Sequence, residues 1–516
     1  MSEPVDTSSP FSMTSPVDGH ALPAVEATAP GAVQGLVERA RAAQIGWAEK
    51  DISARAKALA KLGPRILKRA DEIARVVHEE TGKPEVEALL GEVLASADLV
   101  AHWCAAAEEL FEPTEVELDA LSYPRKFGFI HREARGTLGV IMPWNFPFAL
   151  PLRTLVPALL SGDAVVFKPS EITPRTGALI RELLGDLVAP DLFALAQGGP
   201  DVGVALCSAE VDAVIFTGSP RAGREVARAC AERLIPCSLE LGGKDAALVL
   251  ADANLERAAN GIVWASMMNA GQNCGAVERV YVLESVAGPF IDRVVALVGS
   301  LEAGRDYGPL TTRAQLRIVA SHVDEAREKG AKVLAGGEAR GPGSGFAPTV
   351  LQVDTDDLAV IRDETFGPVL PIRVVKDEDE AVRLANASRY GLTASVWTRN
   401  TVKGERLARK LKAGVVTINN HSFTGAIPGA PWSGVGESGY GVTNSHFALD
   451  MLTRPRFVLV DENKARRELY WYPYTPVLRK VALALISVRG GARSLGARIA
   501  AIFTLLVALP KRLFGG

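Results

Sequence analysis

GTLGVIMPWNFPFALPLRTLVPALLSGDAVVFKPSEITPRTGALIRELLGDLV, residues 136–188, decides the fold. Two short apolar runs, GTLGVIM (136–142) and DAVVFKP (163–169), alternate with PLRTLVPALLSG (151–162) and GALIRELLGDLV (177–188), whose apolar residues recur at helical spacing. The alternation continues through FALAQGG (193–199), VDAVIFTGS (211–219), GREVARACAERL (223–234) and SLELGG (238–243), with Gly or Pro at the changeovers. Strand and helix taking turns in this way predicts an α/β fold of βαβ units, a parallel sheet with helices on both faces. Such sheets bind ligands in the crevice beyond the carboxyl ends of their strands.

Upstream, Val33 to about Leu110 reads as a run of amphipathic helices, and residues 1–30, rich in Ser, Thr, Pro and Ala, read as a loose, flexible arm. Downstream, a second α/β block runs from Asp245 to Gly434, with strand candidates RVYVLE, KVLAGG, VLPIRVV, TASVWT and GVVTINN. The chain of 516 residues suffices for two to four domains at ~100 to 200 residues each. A net charge of −3 excludes a nucleic-acid binder that neutralises many phosphates. Five scattered cysteines form neither a disulfide framework nor a CxxC pair. The histidines show no HExxH spacing, so no metal is expected. A reduced, cytoplasmic setting is the expectation, as the polar, acidic start has no apolar core of a secretory signal.

Five segments carry candidate chemistry. Cys274 sits in MNAGQNCGAVERVYV among glycines and small polar residues, which suits an accessible nucleophile; the other reading of a single cysteine is a small buried hydrophobe. Glu240 ends a strand before a Gly-Gly turn in SLELGGKDAALVL, placed as a general base or as a solvated loop acid. Asn145 in VIMPWNFPFALP follows a strand and precedes a helix, where its amide can meet a developing oxyanion or cap the helix. In AVVFKPSEITP, Lys168 can donate to ribose hydroxyls and Glu171 can accept from an adenosine 2′-hydroxyl. A carboxylate there repels a 2′-phosphate, which favours NAD over NADP. In VIFTGSPRAGREV the turn from Gly218 to Gly223 leads into a helix start that suits a pyrophosphate, although the spacing is not GxGxxG.

The order and spacing of PWNFP, FKPSE, FTGS, LELGGK, GQNC and ETFGPV closely resemble the aldehyde dehydrogenase superfamily, over roughly Val33 to Val460. The resemblance implies a Rossmann-like NAD-binding domain (31–116 and 136–244), a second α/β catalytic domain (245–436) and a small β oligomerisation element (117–135 and 437–465), assembled as a homodimer or homotetramer. It further implies Cys274 as nucleophile, Glu240 as the base that activates water, and Asn145 with the Cys274 N–H as oxyanion hole. Cofactor contacts are implied for Trp144, Lys168, Glu171, Gly218, Ser219, Leu241, Glu364 and Phe366. In succinate-semialdehyde dehydrogenases an Arg at the position of Arg153 helps bind the substrate carboxylate together with an Arg six residues before the nucleophile. That second position is Met268, so an apolar aliphatic or aromatic aldehyde is favoured over a semialdehyde. Loop 421–434, HSFTGAIPGAPWSG, is expected to close the same tunnel. Many relatives carry SGxGRE where this chain has Val442 and Thr443, so no role of that Glu is carried over. An acyl-CoA-forming relative would not need Glu240, and a silent, membrane-associated scaffold would not need the whole catalytic set.

The segment 466–516 is unlike the rest. From Leu469 onward it holds seven Arg and Lys and no acid, so the net −3 divides into −10 for the body and +7 for this tail. Its apolar stretch Ile499–Leu509 would reach about 16 Å as a helix, too short for a bilayer core of ~30 Å. The tail reads either as a basic amphipathic segment on an anionic membrane surface or as one that packs on the body or on a neighbouring subunit.

Overall fold

The computed structural model describes residues 11–120, 122–341, 343–491 and 494–514. The first sheet holds β1 (Thr137–Ile141), β2 (Ala164–Lys168), β3 (Phe193–Leu195), β4 (Ala213–Thr217) and β5 (Cys237–Glu240), in the order β5-β4-β1-β2-β3 and all parallel. β1 and β2 are buried along their whole length, as strands covered on both faces must be. The chain steps from β1 outward through β2 and β3, then returns to the other side of β1 for β4 and β5. That reversal opens a crevice between β1 and β4. Register pairs Ile141 with Lys168 and Thr217 with Glu240, so these residues share the carboxyl edge.

Helices from Val33 to Phe111 cover the same sheet; the Trp47 indole, for example, donates to Leu159 O at 2.8 Å. The stretch Glu85–Phe111 has the length and hydropathy to cross a membrane, but Leu99, Val100 and Trp103 lie in the protein core. Within it Leu89–Leu94 is π-helical, a distortion common near functional sites.

The second sheet holds β6 (Asp245–Val249), β7 (Val277–Leu283), β8 (Lys332–Ala335), β9 (Thr349–Val353), β10 (Val369–Val375), β11 (Thr393–Trp397) and β12 (Val415–Ile418). Their order is β8-β9-β10-β7-β6-β11-β12, with β8 antiparallel to β9 and the other pairs parallel. Only residues 241–244 separate β5 from β6, so the carboxyl edge of the first sheet meets the amino edge of the second.

Three expectations change. Residues 1–10 lie outside the described residues, but the rest of the arm is not loose: Phe11–Thr14 pairs antiparallel with Ala21–Val25. Gly19, at φ 80°, turns that hairpin, and Ser15 N donates to His20 O at 2.9 Å. The small β element also has other bounds. Its strands are Thr114–Val116, Lys126–Ala134 and Thr453–Asp461, whereas Gly439–Tyr440 pairs with β5, and Leu449 and Leu452 join the core of the first sheet. Glycine makes this possible: a Cβ at Gly439 would lie 2.1 Å from Leu239 O. Third, the apolar stretch of the tail is part of a longer helix, Leu495–Phe514.

Residues Pro113–His131 and Arg456–Gly516 form a compact unit of their own. Inside it the buried Lys126 ammonium holds Asp461 at 2.8 Å and Glu468 at 2.6 Å. Arg493 and the side chain of Arg512 lie outside the described residues.

Candidate active site

Cys274 lies just before β7, on a loop with an unusual backbone. Asn269, Ala270 and Gly271 are all left-handed, at φ 55°, 52° and 72°. For non-glycine residues that conformation costs on the order of 1–3 kcal/mol each, so the surroundings must impose it. Both Glu87 oxygens accept from Asn269 N, at 3.0 and 3.1 Å, and Asn269 Nδ2 donates to Asn145 O at 2.9 Å and Gln272 O at 3.0 Å. A Cβ at Gly271 would lie 2.1 Å from Gly367 O, so the GQNC glycine is required by the close approach of the ETFGP segment. On the far side of the nucleophile, Asn273 Nδ2 donates to Ser422 Oγ at 2.9 Å, and Ser422 Oγ donates to Gly275 O at 2.6 Å.

Asn145 is not a helix cap. The helix Ala149–Ser161 begins four residues later, and its first N–H groups, Phe148 and Ala149, donate to the Glu92 carboxylate at 2.8 and 3.1 Å. The Asn145 amide instead donates to Gln272 O at 3.2 Å, against the nucleophile loop. Buried Lys83 ion-pairs with Glu92 and also donates to Asn145 O at 3.0 Å. Lys83, Glu87 and Glu92 thus hold both the amide and the thiol loop. The sequence reading missed all three; the one signal, for Glu87 and Glu92 alone, was an acid placed within an apolar helical run.

Glu240, the last residue of β5, is buried rather than solvated. Burial holds its carboxyl well above the usual range, although the Arg153 guanidinium and the Trp432 indole pull the other way. Neither carboxyl oxygen has a hydrogen-bond partner of good geometry. Burial, with Glu364 and Asp245 nearby, likewise pushes the Cys274 thiol up to about 12. Arg153 opposes the rise at both groups.

Cys274, Glu240, Arg153 and Leu241 line one narrow cavity, with Leu150, Thr154, Thr217, Trp432 and Thr443. Arg153 is therefore no surface contact. Its guanidinium reaches loop 421–434, where a Cβ on Gly425 would lie 2.9 Å from Nη1. A second narrow cavity is shared by Arg153, Val442 and Thr443. Met268 is half-buried at the start of the segment before Cys274 and is not part of either cavity.

The carboxyl edge of the first sheet fits a dinucleotide. Lys168 ends β2 with its ammonium buried, 3.3 Å from Glu171, whose carboxylate stays partly exposed. Ser219 caps the helix Pro220–Glu232, accepting from Ala222 N at 3.3 Å, and leaves that helix start facing the crevice. Gly218 and Gly223 keep the turn tight, since a Cβ at either would strike Phe216 or Leu241. The Trp144 and Phe366 rings meet edge to face at 5.6 Å. Glu364 accepts from Gly243 N at 3.0 Å, and burial raises its pKa to about 8. Buried Lys244, paired with Glu278, anchors the same segment: Glu278 accepts from Thr365 N and Phe366 N, each at 2.8 Å.

A thiol and a buried carboxyl on one cavity, an amide bonded to the thiol loop and a dinucleotide crevice beside them agree with the comparisons. Residues 4–458 match the model of the aldehyde dehydrogenase family. The chain belongs to that family. This aldehyde dehydrogenase is 36% identical over 466 residues to the 4,4′-diapolycopene aldehyde oxidase of a Methylomonas species, covering 89% of this chain and 88% of that one. A Mycolicibacterium smegmatis protein named "Putative succinate-semialdehyde dehydrogenase", of NADP(+) type, is 37% identical over 421 residues, covering 79% of this chain and 80% of its own. The NAD+ complex of a Bacillus cereus aldehyde dehydrogenase superposes with a TM-score of 0.84 at 31% identity, covering 88% of this chain and 94% of that one.

Proposed function

We propose that this enzyme oxidises an apolar aldehyde to its carboxylic acid with NAD, through a thioester on Cys274. The observation that carries the reading is that Cys274 and Glu240 line the same cavity. Cys274 passes its thiol proton to water as Sγ adds to the aldehyde carbon and forms a thiohemiacetal. The Cys274 N–H and the second N–H of the Asn145 amide hold the oxyanion, each such donor being worth ~3 kcal/mol. When bound, NAD supplies the hydride acceptor. Loss of hydride from the carbon leaves the thioester, and Glu240 takes a proton from the water that cleaves it, releasing acid and thiol. A carboxyl raised by burial is a stronger base than one in water, which suits this step.

Lys168 and Glu171 are assigned to the adenosine ribose, Ser219 with Gly218 to the pyrophosphate, and Glu364, Phe366, Trp144 and Leu241 to the nicotinamide side. The exposed Glu171 carboxylate supports NAD over NADP. Apolar lining by Leu150, Leu241 and Trp432, and the relative named 4,4′-diapolycopene aldehyde oxidase, support an apolar substrate. A second reading, a semialdehyde, is favoured by one observation: Arg153 makes no ion pair among the described residues and lies in the cavity with Cys274. We place the enzyme in the reducing cytoplasm as a homodimer or homotetramer, peripheral on the inner face of a membrane through its basic tail.

The test follows NADH absorbance with straight-chain, aromatic and carboxylated aldehydes. Wild type should turn over the apolar aldehydes and Cys274→Ala none. If both are equally inert on every aldehyde, the oxidation reading is wrong, and a Cys274→Ala variant as active as wild type would remove the assignment of Cys274. If Arg153→Leu raises KM for carboxylated aldehydes alone, the semialdehyde reading replaces the apolar one.

A further inference from the structure

The tail's two helices, Pro476–Ile486 and Leu495–Phe514, pack on one another, with Val481, Ala484 and Ala501 buried. What remains uncovered is the outer face of the longer helix. Leu495, Ile499, Ile502, Phe503 and Leu506 are each about half or more exposed, Phe503 at 67% and Leu506 at 69%. Their spacing of i, i+4, i+7, i+8 and i+11 is one continuous stripe. We propose that this stripe is a docking face for an anionic lipid bilayer, with the helix lying in the plane of the membrane surface. The proposal makes specific the membrane part of the function above and is independent of the aldehyde chemistry.

Three observations select a lipid surface over a second copy of the chain. After Glu468 the described tail carries Arg479, Lys480, Arg489, Arg498 and Lys511 and no acid. Arg489 is ion-paired with Asp119, and a two-fold contact would bring two copies of the remaining acid-free basic tail together, whereas anionic headgroups neutralise it. Second, Tyr470, Trp471, Tyr472 and Tyr474 precede the helices and are each more than half exposed. Aromatic residues of that type gather at the level of lipid headgroups. Third, the longer helix would reach about 30 Å, but Arg498 and Lys511 interrupt it near both ends. The apolar part between them is too short to span, so the helix lies flat, sinking its stripe to the depth of the acyl boundary.

The experiment is flotation of the full-length protein with phosphatidylcholine vesicles, with and without phosphatidylserine. Wild type should float several-fold more with the anionic vesicles, and the difference should shrink at about 0.5 M salt as charges are screened. Phe503→Glu with Leu506→Glu should abolish flotation while turnover of a water-soluble aldehyde is unchanged, which separates this proposal from the catalytic reading. Wild type that floats equally poorly with both vesicles overturns the proposal. So does a double variant that floats like wild type, or one whose light-scattering mass falls to a smaller oligomer, which would assign the stripe to a second copy.

Discussion

At the scale of single residues, Arg153 does more than the semialdehyde analogy assigns to it. Its guanidinium opposes the burial-driven rise of both Cys274 and Glu240, so it favours the anionic forms that attack and hydrolyse. Removing the cation lets both pKa values climb. The sign is therefore fixed: Arg153→Met moves the rising limb of kcat/KM against pH to higher pH, by about a unit, even with an apolar aldehyde. A pH profile of unchanged position would limit Arg153 to substrate contact. Glu171 is simpler. In the proposed ribose site its carboxylate beside Lys168 would exclude a 2′-phosphate by charge and by taking the 2′-hydroxyl's partner position. Glu171→Ala should bring the NAD and NADP values of kcat/KM together by tenfold or more, and an unaltered ratio would remove the role.

Among elements, the loop Asn269–Cys274 is where strain and chemistry meet. Its left-handed run persists because Glu87 accepts the Asn269 N–H. Glu87→Ala leaves that buried N–H unpaired, at about 1–3 kcal/mol. We expect a lower Tm, a tenfold or larger drop in kcat and altered alkylation of Cys274 by iodoacetamide, with NAD affinity retained. Loss of NAD binding together with kcat would point to general unfolding instead. This loop also marks the limit of what the sequence discloses. Strands such as β1 and β2 are legible because burial on both faces demands apolar runs, and Cys274 and Gly271 because close chain approach demands glycine at fixed spacing. Glu87 is not legible, as it reaches the loop from 182 positions away and its helix reads as ordinary. Nor is Gly439–Tyr440 as an added strand, since two residues carry no period.

For the whole molecule, the two sheets meet edge to edge at 241–244, where Asp245 and Glu364 lie, and Glu80 and Glu87 are further acids set into the body away from that junction. Burial raises Glu80 and Glu87 to about 7 and Asp245 and Glu364 to about 8. In the unfolded chain all four titrate near 4. Between those values the folded protein binds more protons than the unfolded one, so its stability is fully present below about pH 4 for these groups and declines as pH rises through 7 and 8. The buried lysines Lys168 and Lys244 have lowered pKa values, driven by burial, and their contribution has the opposite sign. Thermal melts should therefore show Tm falling by several degrees from about pH 5 to about pH 8. Asp245→Asn keeps the neutral form at every pH, so it should flatten part of that slope. Asp245 accepts from Thr393 N at 2.9 Å and from Thr393 Oγ1 at 2.7 Å, so the variant starts from a lower Tm. The slope rather than the level is the measure. A wild-type Tm that is flat or rises across this range would mean that these acids stay ionised, held by water or by the bound dinucleotide rather than by burial.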